Sequence, residues 1–192
     1  MIFEGVITTV NDDGGAHITP MGFRRTDEGV SLAPFVPSIT LDNLARHGQA
    51  VMNLIDDVRI IAGCLTGRRD WPLTRAESVA GWRLLGALSH LELKVEEHHQ
   101  DAERPRFRCR VVREVNHAPF QGYNRAQAAV LEAAILVSRL DWLAPDKLRN
   151  EMRYLDIAVS KTAGPRELTA WQWLLDAMAV HPRHRLKLEA RL

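Results

Sequence analysis

Cysteine is scarce in this chain: Cys64 and Cys109 are the two present, 45 positions apart and outside any CxxC pattern. No disulfide framework follows from such a pair, which reads as reduced, buried thiols of a cytoplasmic protein. A surplus of either charge is also missing, with 25 Lys plus Arg against 24 Asp plus Glu. An extended nucleic-acid surface would leave a clear basic excess, so nucleic acid is not an expected partner. Long apolar runs are absent as well. The most apolar stretch, 126–143, is interrupted by Gln127, Glu132, Arg139 and Asp141, so no membrane span is expected. Residues 1–5 carry neither a basic n-region nor an apolar h-region, and no secretory signal is expected.

Catalytic fingerprints are missing too. There is no G-x-S-x-G, no GxGxxG and no P-loop. The histidines His17, His47, His90 and His117 show no ligand spacing, and His98 and His99, adjacent on a strand, point to opposite faces. No metal is expected. Asp56-Asp57 reads as a bend in a strand.

What is present divides by hydrophobic period. The first ~115 residues read as β-rich and the rest as helical. Residues 3–10 form a β-branched strand that ends at Asn11-Asp12-Asp13-Gly14-Gly15; a return strand follows at 17–23; Asp27-Glu28-Gly29 turns into a third at 30–35. Short turns between three strands make an antiparallel meander. Thr40 is placed to cap a short helix through Arg46, closed by Gly48. A strand at 50–55 bends at Asp56-Asp57 and continues through 58–65, and Thr74-x-x-Glu77 has the spacing of a capping box, predicting a brief helix. Leu91, Leu93 and Val95 then alternate with Glu92, Lys94 and Glu96, and Phe107, Cys109 and Val111 with Arg106, Arg108 and Arg110. That pattern predicts one buried face and one wet face, with glutamate and arginine paired across strands.

Three helices are predicted beyond Asn124. The first runs to about Leu143, apolar almost all round except for a stripe of Arg125, Glu132 and Arg139, and is expected to be clamped by other elements. Pro145 opens the second, with Leu148, Met152, Leu155 and Val159 on one face. Gly164-Pro165 precedes the third, with Leu168, Trp171, Leu175 and Met178 inward. The basic tail, 181–192, is expected to fray. The domain division is 1–120 for the barrel and 121–192 for a helical subdomain.

Two places look ready for an anion. Ile18-Thr19-Pro20-Met21-Gly22-Phe23-Arg24-Arg25 lies shortly before Ser38-Ile39-Thr40-Leu41-Asp42-Asn43-Leu44, and Gly122-Tyr123-Asn124-Arg125 precedes the apolar helix. Each combines backbone-exposing residues with hydroxyl, amide or guanidinium groups where a helix begins, and helix N-termini bind phosphate through free N–H groups and the dipole. Arg125 in a first helical turn is unfavourable by roughly 0.3–1 kcal/mol unless an anion reverses the sign. The plainer readings are a proline loop before an ordinary capped helix, and an Arg125 that joins the solvated stripe with Glu132.

Taken together, Met1-Ile2-Phe3-Glu4-Gly5-Val6-Ile7-Thr8-Thr9-Val10-Asn11, Ile18-Thr19-Pro20-Met21-Gly22, Ser38-Ile39-Thr40-Leu41-Asp42-Asn43-Leu44 and Gly122-Tyr123-Asn124-Arg125-Ala126 with Ala129-Val130-Leu131-Glu132-Ala133-Ala134-Ile135-Leu136 resemble the DUF447 family. The resemblance spans the chain to about Pro165. It implies a fold that is mainly β plus α, an antiparallel FMN-binding split β-barrel with a C-terminal helical subdomain, related to flavin reductases and pyridoxamine-phosphate oxidases. It further implies a homodimer with FMN at the interface. The phosphate would be met by Ser38 and Thr40 with Arg24 and Arg125; either Arg24 or Arg25 is in reach of that role. The ring would lie along Thr19, Pro20, Met21 and Gly22 and the strand from Asn53 to Asp56, with Asn43 and Asn124 completing the site. Flavin carries out hydride and electron transfer itself, so the missing acid–base motif is no obstacle. The expected activity is that of a flavin-dependent reductase with a nicotinamide or pterin-type partner; the alternatives are an FMN carrier, sensor or assembly module, and a barrel without ligand.

Overall fold

The computed structural model describes residues 1–184. Among them, eight strands and five helices form two units: residues 1–56 with 70–120, and residues 57–69 with 121 onward.

The first unit is built from β1 (Phe3–Val10), β2 (Ala16–Thr26), β3 (Gly29–Leu32), α1 (Ile39–His47), β4 (Gln49–Leu54), β5 (Leu73–Arg75), β6 (Trp82–Leu84), β7 (Ser89–His99) and β8 (Arg106–Asn116). β1 pairs over its whole length with β2 through the expected Asn11–Gly15 turn, closed by the Asn11 amide on the Gly15 carbonyl at 2.9 Å. Gly29 sits at φ 137° in the next turn, where a Cβ would run into the Cys109 carbonyl, so glycine is required there. The third strand ends at Leu32 rather than 35, since Pro34 has no N–H for a ladder. The strands close into an antiparallel barrel in the order β1-β2-β3-β8-β7-β4. Ile7, Phe23, Leu32, Met52, Leu91, Leu93 and Phe107 fill it, with α1 contributing Leu44. The antiparallel barrel expected from the alternating strands and from the family resemblance is thus observed.

Helix α1 begins two residues earlier than expected. Ser38, not Thr40, is the N-cap: its hydroxyl accepts from the Leu41 amide at 3.2 Å, while Thr40 is buried in the first turn. Gly48 closes the helix in the left-handed region as predicted. The segment 73–77 is no helix. Leu73–Arg75 pairs with β6, and the Glu77 amide is used by a carboxylate from another strand, which removes the donor a capping box would need.

The second unit contains α2 (Val58–Leu65), α3 (Arg125–Val137), α4 (Pro145–Thr162) and α5 (Pro165–Val180). The strand predicted through 58–65 is α2. Asp57 caps it, accepting from the Arg59 amide at 3.1 Å and gripping the Arg59 guanidinium in a bidentate pair. Six of its eight residues are buried against helical partners, so packing overrides the β-branched propensity of Val58, Ile60 and Ile61. Burial tends to raise the Asp57 carboxyl, but the hydrogen bonds from Arg59 outweigh it and hold the group below the usual range.

Helix α3 packs against α2, α4 and α5. Its buried face is mostly alanine (Ala126, Ala129, Val130, Ala133, Ala134), which lets the neighbours approach closely, and it stops at Val137, short of Leu143. Helix α4 buries Leu148, Met152 and Val159 as expected. In α5 the face is rotated slightly from the prediction: Ala170, Trp171, Leu174 and Met178 are buried, while Leu168 is exposed. The tail departs from expectation at its start. His184 is buried and its Nε2 bonds the Leu140 carbonyl at 2.6 Å, and Arg183 donates to the Asp141 carbonyl. The rest of the predicted frayed tail, 185–192, lies outside the described residues. No helix among the described residues is long and apolar enough to cross a membrane.

Candidate functional site

Strand register organises the barrel's outer face. Pro20, Val6, Asn53, His90 and Val115 are successive cross-strand partners on β2, β1, β4, β7 and β8, so they form one row. Their neighbours Ile7, Met52 and Leu91 are core residues, and side chains alternate along a strand, so this row points away from the core. The next outward row holds Thr8, Val51, Glu92 and Arg113. The wet face predicted here is dry: Thr8, Asn53, His90 and Glu92 are buried.

The cover is the arm 70–88, and polar side chains of the strands hold its backbone. Glu92 accepts the amides of Glu77, Ser78 and Val79 at 3.0, 2.5 and 3.0 Å. Asn53 Oδ1 accepts the Leu84 amide at 2.8 Å, and the Thr8 hydroxyl donates to the Trp82 carbonyl. Gln49 accepts the Ala80 amide at 2.7 Å. Thr8, Asn53, His90 and Glu92 are tolerated there because each finds a partner, whereas the buried Arg113 Nε makes no hydrogen bond among the described residues. Burial by itself tends to raise the Glu92 carboxyl; the Glu77 and Ser78 amides and His90 outweigh it and hold the group below the ordinary glutamate value.

A pair of histidines, one buried and one exposed, adjoins this carboxylate. His90 Nε2 lies 3.2 Å from Glu92 Oε1, and His90 Nδ1 lies 2.8 Å from His117 Nε2. The two ring planes are 3° apart with centroids 5.0 Å apart. A 2.8 Å N···N contact is closer than stacked rings approach, so the imidazoles lie edge to edge along a hydrogen bond. His117 is exposed and lines an open depression of about 500 Å³ with Asn116, Ala118, Pro119 and Phe120. Sequence reasoning dismissed these histidines for lack of ligand spacing. The same-face pair His90-x-Glu92 was visible, but its partner is 27 residues away and only the β7–β8 pairing brings it close.

The residues expected at a ligand fall into three groups. On β2, Met21 packs on the core, Thr19 shares its side by alternation, and Pro20, Gly22 and Arg24 face outward. Asn53 is committed within the fold, its amide donating to the Val6 carbonyl at 2.9 Å. Asn43 is likewise engaged, bonding Thr9 and Asn11 at 3.0 Å each and so tying α1 to the end of β1. Arg25 is paired with Glu114 at 2.7 Å, whereas Arg24 has no ion pair among the described residues.

The two helix N-termini differ. At α1, which packs against β1 and β2, Ser38 satisfies the Leu41 amide, while the Ile39 and Thr40 amides have no acceptor among the described residues. At α3, Asn124 is the cap and accepts from Ala126 at 2.8 Å and Gln127 at 3.2 Å, while Thr162 Oγ1 also takes the Ala126 amide. That end is largely filled from within. Arg125 is exposed, lacks an ion pair among the described residues, and lines a recess of about 240 Å³ with Glu132, Tyr154 and Ala158. It is not paired with Glu132. The predicted cross-strand pairs of the far β7–β8 ladder are present, with Arg108 on Glu96 and Glu97 and Arg110 on Glu96. His98 stacks on Phe107 and His99 bonds Glu97.

Comparison with known structures places this fold. An FMN-bound DUF447 protein of Methanosarcina mazei superposes with a TM-score of 0.79 at 16% identity, over 92% of this chain and 94% of that one. The styrene monooxygenase flavin reductase of Pseudomonas putida matches with a TM-score of 0.51 at 17% identity, over 59% of this chain and 77% of its own. An NADH:FAD oxidoreductase of Streptomyces globisporus gives 0.51 at 13% identity, over 60% and 72%. These likenesses define a flavin-reductase-like split barrel carrying C-terminal helices. No curated protein matches in sequence. Two family models, described as protein of unknown function (DUF447), N-terminal domain, and protein of unknown function (DUF447), match residues 3–118 and 124–176. The chain therefore belongs to the DUF447 family.

Proposed function

We propose that this protein is a cytoplasmic, homodimeric FMN-dependent oxidoreductase. The observation that supports FMN most directly is the α1 terminus: two amides without acceptors, a capping hydroxyl at Ser38, and Arg24 without an ion pair. Such a donor set suits a terminal phosphate, which gains from helix N–H groups and from a planar guanidinium. Ser38, Thr40 and Arg24 would hold the phosphate, and Pro20 and Gly22 with the end of β4 would line the ring. Asn43 and Asn53 act behind them, fixing α1 and β4 through their hydrogen bonds. When bound, FMN supplies the hydride or electron transfer.

The M. mazei relative is FMN-bound, and the S. globisporus neighbour's name couples NADH to a flavin, which supports a nicotinamide electron donor over a pterin-type one. A dimer is supported by exposed apolar side chains of the barrel unit, among them Ile2, Phe3, Phe35, Val36 and Ile39. Two buried cysteine thiols outside any disulfide fit a reducing compartment.

Calorimetric titration tests the reading. FMN should bind well above riboflavin, and Arg24→Ala should weaken FMN by about 1.5–3 kcal/mol, the scale of a lost charged hydrogen bond. Equal binding of FMN and riboflavin would overturn the phosphate assignment. Light scattering at 21.7 kDa would overturn the dimer.

A further inference from the structure

Glu92, His90 and His117 make a continuous hydrogen-bonded chain from a fully buried carboxylate to an exposed imidazole. Its polarity follows from its inner end. Glu92 already accepts three amides and is ionised, so it can only accept from His90, which must carry its proton on Nε2. In a neutral His90 ring Nδ1 is an acceptor, so the proton in the 2.8 Å bond belongs to His117 Nε2. What remains on His117 is Nδ1, with a lone pair in the neutral ring.

We propose that this chain is a hydrogen-bond relay, fixing the tautomer of His117 without carrying a proton along it, that makes His117 the general acid–base group of a substrate site, the depression lined by Asn116, Ala118, Pro119 and Phe120, for a carbonyl compound whose reduction requires a proton. A proton arriving at His117 Nδ1 creates an imidazolium whose Nε2–H stays bonded to His90, while Glu92 offsets the charge from within. Glu92 and His90 are positioning residues; His117 is the group that meets the substrate. The charged and titratable groups around it are Arg83 on β6, Glu77 in the arm, Arg113 on β8, and the two relay partners. Burial, Arg83 and His90 push His117 below the ordinary histidine range, with Glu77 opposing, so its resting ring is neutral and its protonated form is a ready acid.

The depression adjoins the strand end assigned to the flavin ring. The His117 and Ala118 amides both bond the Leu88 carbonyl, at 2.7 and 3.1 Å, and the Leu88 amide bonds the Leu54 carbonyl at 2.9 Å. For its hydride the inference rests on the flavin-oxidoreductase reading. The step assigned to this chain is a proton transfer. Bound reduced flavin would supply the hydride to the substrate carbon, leaving the electron pair on the substrate oxygen. The Nδ1–H bond of His117 breaks, an O–H bond forms, and the ring returns to its neutral state.

Two measurements test it. Nitrogen-15 spectra of the flavin-free full chain should show His90 and His117 as neutral rings protonated on Nε2. Glu92→Gln turns an amide toward His90, reverses the relay and should move the His117 proton to Nδ1; His90→Gln should likewise change the His117 ring signals if Glu92→Gln does not fold. A wild-type His117 protonated on Nδ1, or one indifferent to both substitutions, overturns the relay. In the second measurement, FMN-loaded, photoreduced protein is reoxidised by 2-methylcyclopentenone, which needs a proton, or by ferricyanide, which needs only electrons. His117→Gln should lower the ratio of the two rates by about 100-fold, the low end for a lost general acid. An unchanged ratio, or a wild-type protein that binds FMN yet leaves the ketone untouched, overturns the substrate assignment. Failure to load FMN would instead remove the proposed function, with the nitrogen spectra still deciding the relay.

Discussion

The two ends of the β7–β8 hairpin carry the same kind of sequence and meet opposite fates. Near its base, Glu92 faces Arg113 and is buried without measurable exposure; toward its tip, Glu96 and Glu97 face Arg108 and Arg110 in solvent. Register shifts between Glu92/Leu93 and Val95/Glu97 separate the two ends. The difference lies in what covers them. The arm 70–88 lies over the base and presents backbone amides, so a glutamate there becomes the anchor of a segment and the inner end of a hydrogen-bonded chain. No such cover reaches the tip, where glutamate and arginine form a ladder of the kind that contributes little.

The comparison breaks most readily at Glu92. Glu92→Ala leaves three arm amides without an acceptor and should lower unfolding free energy by about 3–5 kcal/mol, read by urea denaturation. A loss below about 1 kcal/mol would mean that the arm does not depend on this carboxylate.

Acid should act through the same group. Its folded value lies below the ordinary 4.5, so its contribution is complete above that pH and is lost as pH falls through the lower folded value. Wild-type stability should drop in that window, and Glu92→Gln should flatten this part of the curve. A parallel curve for the variant would assign the acid sensitivity elsewhere.

Thr8→Val is the next smaller change, since it removes the hydroxyl that donates to the Trp82 carbonyl and keeps the shape. It should cost about 1–2 kcal/mol in the same assay, and protection of the β5–β6 amides from hydrogen exchange should fall with it.

The smallest effect belongs to the open ladder. Glu97→Ala should leave the melting temperature unresolved from wild type, and 1 M salt should erase whatever difference remains. A Glu97 effect as large as that of Glu92 would abolish the distinction between covered and open ends.

Much of this architecture was legible beforehand because it depends on local chemistry. The Asn11–Gly15 turn, the Gly48 helix stop, the Asn124 cap and the alternation in β7 and β8 each follow from residues within a few positions of one another. The errors share a different cause. Val58–Leu65 has strand propensity and is a helix because Asp57 caps it and helices bury it. Thr74 and Glu77 have helical spacing, but the Glu77 amide is claimed by Glu92, fifteen positions away. Ser38 displaced Thr40 as the cap because both are competent and burial of Thr40 decided between them. The helix start near Ser38 and the arginines at 24 and 25 were visible as donors close in the chain, while the difference between Arg24 and Arg25 depended on Glu114, which a one-dimensional reading cannot bring near.

The sequence by itself determined the alternation of β7 and β8, the Asn11–Gly15 turn, the Gly48 and Asn124 helix boundaries, and to which family the chain belongs, since these depend on short-range periodicity, capping and motif content. The tertiary structure alone decided which polar faces are dry, which arginine is free of an ion pair, and that His90, His117 and Glu92 meet. Those outcomes turn on pairing and cover between segments distant in the chain, and solvent exclusion is a property of the assembled fold rather than of any one strand.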